Sequence, residues 1–344
     1  MKIAGANLPD VGARALEAAT GSWSRQAIGL PVAHALTRGS PEVTVAVLDT
    51  GVCATHPELE HALLRGFDFV DIIEGAKGFI GDHLGADPAP DDEQGHGTHV
   101  AGIIAARGVR APVGVAPRCK VLPVRVLGTF VGPDGRPVGA GVRDNIDQGL
   151  KWAIDQGAHV INMSLGLLAD GPGDQPHAAM MDYARRRGVT VVAAVGNDGT
   201  TKQYFPSALP HVVAVGAFDR SGAVARFSTR GLQVDVLGPG EEIYSSYADD
   251  GYAFASGTSQ AAPFVAGVAA LLKSYALSIG ESLRDPAIKH VLKRTADRPG
   301  PAQKTRDAGY GRLNAADALR FLQLQRRESK PRGVRRPPLI EARP

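Results

Sequence analysis

Short runs of aliphatic and β-branched residues recur along the chain, separated by segments in which apolar positions return every three or four residues. The first run is 43–48 (VTVAVL), followed by 121–127 (VLPVRVL), 159–163 (HVINM), 189–195 (VTVVAAV) and 211–217 (HVVAVGA). Near-continuous apolar character over so few residues suits a strand covered on both faces of a parallel sheet. Helical periodicity falls at 97–107, 142–156 and 175–187, with further helices expected at 284–295 and 313–325. Strands alternating with helices predict βαβ units, right-handed crossovers and an α/β fold with helices on both faces of a mostly parallel sheet. The segment 258–276 (TSQAAPFVAGVAALLKSYA) is apolar on nearly every face and predicts a buried helix. Two stretches, the acidic Gly/Pro-rich 74–94 and GTFVGPDGRPVGAG at 128–141, read as long surface loops of the kind that often carry function.

The 344 residues would allow two domains at roughly 150 residues each, but no repeat or compositional break divides them. The pattern predicts one large domain over 41–325. An N-terminal arm (1–40) precedes it. A Pro- and Arg-rich tail (326–344) follows, with too little to bury to fold. With 44% apolar and 21% charged residues, a wholly disordered or coiled-coil chain is excluded. Aromatic residues are only 6%, so the core must rest on Val, Ile, Leu and Ala. No uninterrupted apolar run approaches the roughly 18 residues of a membrane span, so no membrane partner is expected. The net charge of +3 is unevenly spread: residues 323–344 hold seven basic and two acidic side chains. The body is therefore slightly acidic, and no nucleic-acid partner is expected. Cys53 and Cys119 are too few for a disulfide framework, and Cys53 reads as a small apolar filler. The first 21 residues lack the apolar stretch of a secretory leader. That predicts a cytoplasmic chain, or a secreted one if its N-terminus has been trimmed.

Three segments carry candidate chemistry. In VLDTGV, Asp49 stands at the carboxyl end of its strand, where open parallel sheets bind ligands. In GHGTHVAG, His96 lies between two glycines at a helix start, while His99 points towards the apolar side and reads as an interior histidine. The pair lacks a third ligand, so zinc is not expected. In ASGTSQAAPFVAG, Ser259 opens the buried helix, whose unpaired N–H groups and positive dipole end favour negative charge beside the hydroxyl. Each alone has a plain structural explanation: a turn acid, a core histidine, an N-cap serine. Together they supply a nucleophile, a base and the carboxylate that orients the base, in the order Asp…His…Ser. Asp49-Thr50-Gly51 also matches half of an aspartic protease dyad, but the chain has no second such triplet.

On these motifs the chain resembles the subtilisin-like serine proteases (subtilases, peptidase S8). The likeness extends over about residues 40–322 through DTGV, HPEL (56–59), HGTHVAG, GVAP (114–117), INMSLG (161–166), AVGN (194–197), AVGA (214–217), GTSQAAP and GYGRLNAADAL (309–319). The resemblance implies a doubly wound sheet and an endopeptidase acting on peptide or protein substrates without an organic cofactor. By the matching positions, Ser259 is the nucleophile, His96 the base, Asp49 its orienting partner and Asn197 an oxyanion donor. A peptide would lie extended between Ser164-Leu165-Gly166, facing Ala194-Val195-Gly196, and the 138–142 stretch with Gly139, Ala140 and Gly141. Asp198 and Lys202 would bias the rim of the pocket. Rival outcomes on the same motifs are a transpeptidase or macrocyclase and a non-catalytic peptide-binding protein. Two departures stand near the nucleophile, where the family usually has Met and His: Gln260 and Phe264. The loop RGVRAPV (107–113) lacks the Asn-rich insertion that holds the tight calcium of secreted relatives. A calcium site is expected instead on Asp68, Asp71, Asp87 and Asp91, within an acidic stretch that also holds Asp82, Asp92 and Glu93.

Overall fold

The computed structural model describes residues 23–329, apart from 74, 133–134 and 299–303. In chain order its strands are β1 (Thr44–Asp49), β2 (Phe67–Asp68), β3 (Phe79–Ile80), β4 (Lys120–Arg125), β5 (Gly128–Val131), β6 (Pro137–Ala140), β7 (Val160–Met163), β8 (Thr190–Ala194), β9 (Val213–Phe218), β10 (Val236–Pro239), β11 (Ile243–Ser246) and β12 (Tyr252–Ala255). Seven of them form a parallel sheet in the order β10-β9-β8-β7-β1-β4-β2. From β1 the chain reaches β2 at the sheet edge, comes back to β4 beside β1, then crosses to the other side of β1 to add β7 to β10. That reversal puts a crevice beyond the carboxyl end of β1, where α/β sheets bind ligands.

The unbroken apolar runs follow from burial on both sides of this sheet. On β1, Val45 and Val47 pack into one core with the His96–Ala105 and Thr258–Ser278 helices. Ala46 and Leu48 pack into a second core with the Arg143–Asp155 and Ala178–Arg187 helices. Asp285–Arg294 and Ala315–Ser329 complete the helices expected towards the C-terminus. The Thr258–Ser278 helix is long and apolar enough to cross a membrane, but 83% of its apolar window is buried inside the protein. It is a core helix, in line with the sequence.

Three expectations need correction. The stretch 128–141 is not a loop: β5 and β6 form a hairpin there, joined by β3 into a three-stranded sheet. Each of these two strands has only four residues, too short for a period to register. The sequence also missed β10, four residues ending in Gly-Pro. Residues 23–36, assigned to the arm, form two short helices on the body. Ile28, Leu30 and Ala33 are fully buried there, and the Arg25 guanidinium lies 5.0 Å over the ring of Phe264. That contact gives the departure at Phe264 a packing role. The chain is helical through Ser329; residues 1–22 and the rest of the tail lie outside the described residues.

Candidate active site

Asp49 ends β1 with its side chain fully buried, and its Oδ1 accepts a 2.6 Å hydrogen bond from His96 Nδ1. The close approach depends on Gly97. A Cβ there would sit 2.1 Å from the Gly51 carbonyl oxygen, so only glycine lets the helix start so near the strand end. Asp92, from the acidic stretch before the helix, organises this helix terminus. Its Oδ1 accepts from Thr50 Oγ1 and from the N–H groups of Gln94 and Gly95; its Oδ2 accepts from Thr98 N–H and Thr98 Oγ1. Thr50 Oγ1 in turn accepts from Gly97 N–H at 2.9 Å. First-turn N–H groups that no helical carbonyl can serve are thus satisfied by side chains. Burial works against the His96 imidazolium. The charge and hydrogen bond of Asp49, with Asp92 behind it, outweigh burial and hold the pKa above the ordinary 6.5. With Nδ1 donating to Asp49, Nε2 is left as a lone pair with no partner among the described residues.

Ser259 lies in the first turn of the Thr258–Ser278 helix, which packs beside the His96 helix. Its hydroxyl donates to the Ser164 carbonyl at 3.1 Å, and no hydrogen bond joins it to His96 among the described residues. The Ser164 hydroxyl donates back to the Ser259 carbonyl at 2.8 Å. That carbonyl is free for it because Pro263, four residues on, has no N–H to give. Asn197 is fixed by Thr258, whose N–H and Oγ1 both donate to Asn197 Oδ1 at 2.7 and 2.9 Å. Thr258 Oγ1 also accepts from Gly196 N–H at 3.2 Å. The Asn197 carbonyl oxygen is therefore committed and its Nδ2 is the end left to donate. The Ser259 N–H, in a first turn, has no intrahelical acceptor. The structure thus unites Asp49 with His96, and Ser259 with Ser164 and, through Thr258, with Asn197. Thr258 was not singled out in the sequence, although it stands between two motif residues. Gln260 is buried, and neither amide atom has a partner among the described residues.

The segments expected to wall the cleft follow two central strands. Ser164-Leu165-Gly166 continues from β7 and Ala194-Val195-Gly196 from β8. β6, bearing Gly139 and Ala140, is an outer strand of its sheet, with one edge unpaired among the described residues. A Cβ on Gly139 would come within 2.7 Å of Thr50 Cγ2, so this edge runs past the end of β1. At Gly141 a Cβ would meet the Val126 carbonyl at 2.3 Å. Asp198, expected at the pocket rim, has Lys202 Nζ 3.9 Å from its Oδ2. Its oxygens accept from Thr200 N–H and Oγ1, Thr229 Oγ1 and Tyr204 OH.

The expected cation ligands are not brought together. Among the described residues no group of three or more His, Cys, Asp or Glu converges on one point. Asp68 is buried in an ion pair with Arg125, which also reaches Asp82 and Glu93. Asp71 accepts from Gly85 N–H and Asp87 from Ala89 N–H. The acids of this stretch serve one buried arginine and their own turns, and they do not fit a calcium cage. His99 is an interior histidine, as its face predicted: Nε2 donates to the carbonyls of Ile243 and Ala253, and burial pulls its pKa down to about 3. Cys53 is half-buried with its thiol near Asp250, so it is not a core filler.

A family model described as the subtilase family, Peptidase S8, matches residues 40–311. The thermophilic serine proteinase of Bacillus sp. (strain AK1) is 36% identical over 293 residues, covering 83% of this chain and 64% of its own length. This chain thus spans a little under two thirds of that relative. Thermitase of Thermoactinomyces vulgaris is 38% identical over 301 residues, covering 87% of this chain and 96% of its own. Among solved structures, prenylagaramide maturation protease PagA superposes with a TM-score of 0.69 at 32% identity, covering 86% of this chain and 98% of that one.

Proposed function

The chain belongs to the subtilase family of serine proteases, and from that premise we propose that it is an endopeptidase working through an acyl-enzyme formed on Ser259. The observation that carries this reading is the buried 2.6 Å bond from His96 Nδ1 to Asp49, which leaves His96 Nε2 as an unshared base. Rotation about the Cα–Cβ bond of Ser259 swings its hydroxyl from the Ser164 carbonyl towards that nitrogen. His96 takes the proton as Ser259 Oγ attacks the peptide carbonyl. Asp49 stabilises the imidazolium, and Asn197 Nδ2 with the Ser259 N–H receives the oxyanion. His96 then protonates the leaving amine. Water, deprotonated by the same histidine, cleaves the ester and restores the hydroxyl. The substrate backbone adds as a strand between the free edge of β6 and the 164–166 segment.

The test is labelling by a fluorophosphonate together with turnover of a peptide amide. Both are expected in the wild type and absent in a folded Ser259→Ala variant; amide turnover by that variant would overturn the reading. A second reading keeps the acyl-enzyme but lets an amine resolve it, as a transpeptidase or macrocyclase. Its support is the likeness to a protease named for the maturation of prenylagaramide. Mass analysis of products formed with an added peptide amine separates the two.

A further inference from the structure

We propose that Tyr204 closes the pocket for the residue before the cut, so that the enzyme selects small side chains there. The proposal rests on the endopeptidase reading above, with that pocket taken to lie between Ser164-Leu165-Gly166 and Ala194-Val195-Gly196. Both walls of that pocket end in glycine, and both glycines face the same ring. A Cβ on Gly196 would lie 2.6 and 2.7 Å from Tyr204 Cδ2 and Cε2, while a Cβ on Gly166 would lie 3.2 and 3.7 Å from Tyr204 Cβ and Cδ1. One edge of the phenol ring meets one wall and the opposite edge meets the other. The ring bridges the gap into which a large side chain would have to pass.

Tyr204 is also held there. Its hydroxyl donates to Asp198 Oδ2 at 3.3 Å, and its carbonyl accepts from Ser207 Oγ at 2.7 Å and Ala208 N–H at 2.9 Å. Phe205, next in the chain, exchanges two backbone hydrogen bonds with Leu167 on the first wall, at 3.0 and 2.8 Å. Asp198 is a firm anchor. Burial opposes its charge, but hydrogen bonds from Thr200, Thr229 and Tyr204 outweigh burial and hold its pKa at about 2. Nothing in this arrangement resembles a hinged lid. An aromatic ring already occupies the space that an aromatic substrate side chain would need, and close-packed contacts do not yield that volume cheaply.

The experiment compares kcat/KM on peptides that differ only before the cut: Gly, Ala, Ser, Leu or Phe. The wild type is expected to prefer Ala over Phe by at least about tenfold, the scale on which a pocket discriminates by size. Tyr204→Ala should raise the Phe-to-Ala ratio by a further order of magnitude or more. Tyr204→Phe, which keeps the ring, should retain the small-residue preference. If Tyr204→Ala does not fold, Tyr204→Val shortens the side chain with less loss of packing and should shift the ratio the same way. A wild type that cuts after Phe as readily as after Ala would overturn the proposal, as would an unchanged ratio in the folded, fluorophosphonate-labelled variants. Absence of both labelling and cleavage in the wild type would instead defeat the endopeptidase reading itself.

Discussion

Ser164 and Ser259 hold each other by two hydrogen bonds of opposite direction, hydroxyl to carbonyl at 2.8 Å one way and 3.1 Å the other. The arrangement couples a cleft wall to the residue proposed as nucleophile, and Pro263 makes it possible by leaving the Ser259 carbonyl without a helical donor. Ser164→Ala would strand that buried carbonyl. It should destabilise the protein by about 1–3 kcal/mol, the cost of an unpaired buried acceptor. Pro263→Ala supplies an N–H at the right helical position and should recover part of the loss in the double variant. Urea denaturation of the four proteins measures the coupling; additive effects would show that the carbonyl is not shared in this way.

The raised His96 pKa sets the direction of the pH dependence. In the proposed mechanism His96 must be neutral to accept the Ser259 proton, so kcat/KM should climb with pH through a midpoint above 6.5. Stability runs the other way. The imidazolium–Asp49 interaction is fully present below the unfolded pKa near 6.5 and is lost as pH rises through the higher folded value. Asp49→Asn removes the main cause of the shift. It should lower the activity midpoint and cut kcat by about 10⁴-fold. A midpoint unmoved by Asp49→Asn in a pH–rate profile would contradict the assignment.

The Asp49–His96 contact and the place of Ser259 at a helix start were legible because each motif carries the glycine or proline its geometry demands: Gly97 for the strand–helix approach, Pro263 for the freed carbonyl. The parallel strands were legible because burial on both faces leaves an unbroken apolar run. What escaped the sequence was relational. Asp92 and Asp68 look alike as residues in an acidic stretch, yet one caps a helix and the other neutralises a buried arginine from β4. Thr258 reads as a neighbour of the serine until its contacts with Asn197 are seen. Tyr204 reads as loop until two glycines far apart in the chain converge on its ring.

Thr258 is expected to act through Asn197 as a positioning residue. Asn197→Ala should lower kcat by about 10²–10³ with a much smaller effect on KM, as removal of an oxyanion donor does. Thr258→Val deletes the hydroxyl that fixes the amide and should lower kcat in the same manner by about tenfold, on the scale of one hydrogen bond. Thr258→Ser should restore it. In the Asn197→Ala background Thr258→Val should add little, because the group it orients is gone. Full additivity of the two losses in steady-state kinetics would refute this role.

Glu58 shows how the short 107–113 segment is anchored through its own backbone. The residue is fully buried, and its carboxylate accepts four backbone N–H groups, from Gly108 and Val109 on Oε2 and from Arg110 and Ala111 on Oε1, at 2.6–2.9 Å. Arg110 lies over the Tyr252 ring at 5.1 Å and closes the cluster. Burial alone would raise the Glu58 pKa, but the four donors outweigh it and bring it below 4.5. The resulting stability is present above about pH 4.5 and is lost as pH falls through the lower folded value. Glu58→Gln turns an amide NH₂ towards N–H donors that need an acceptor. It should therefore lower the melting temperature at pH 7 and speed hydrogen exchange at 108–111. The gap between variant and wild type should narrow below pH 4.5, where the wild-type carboxylate itself gains a proton. A gap that stays constant with pH would show that the charge of Glu58 is not what holds the loop.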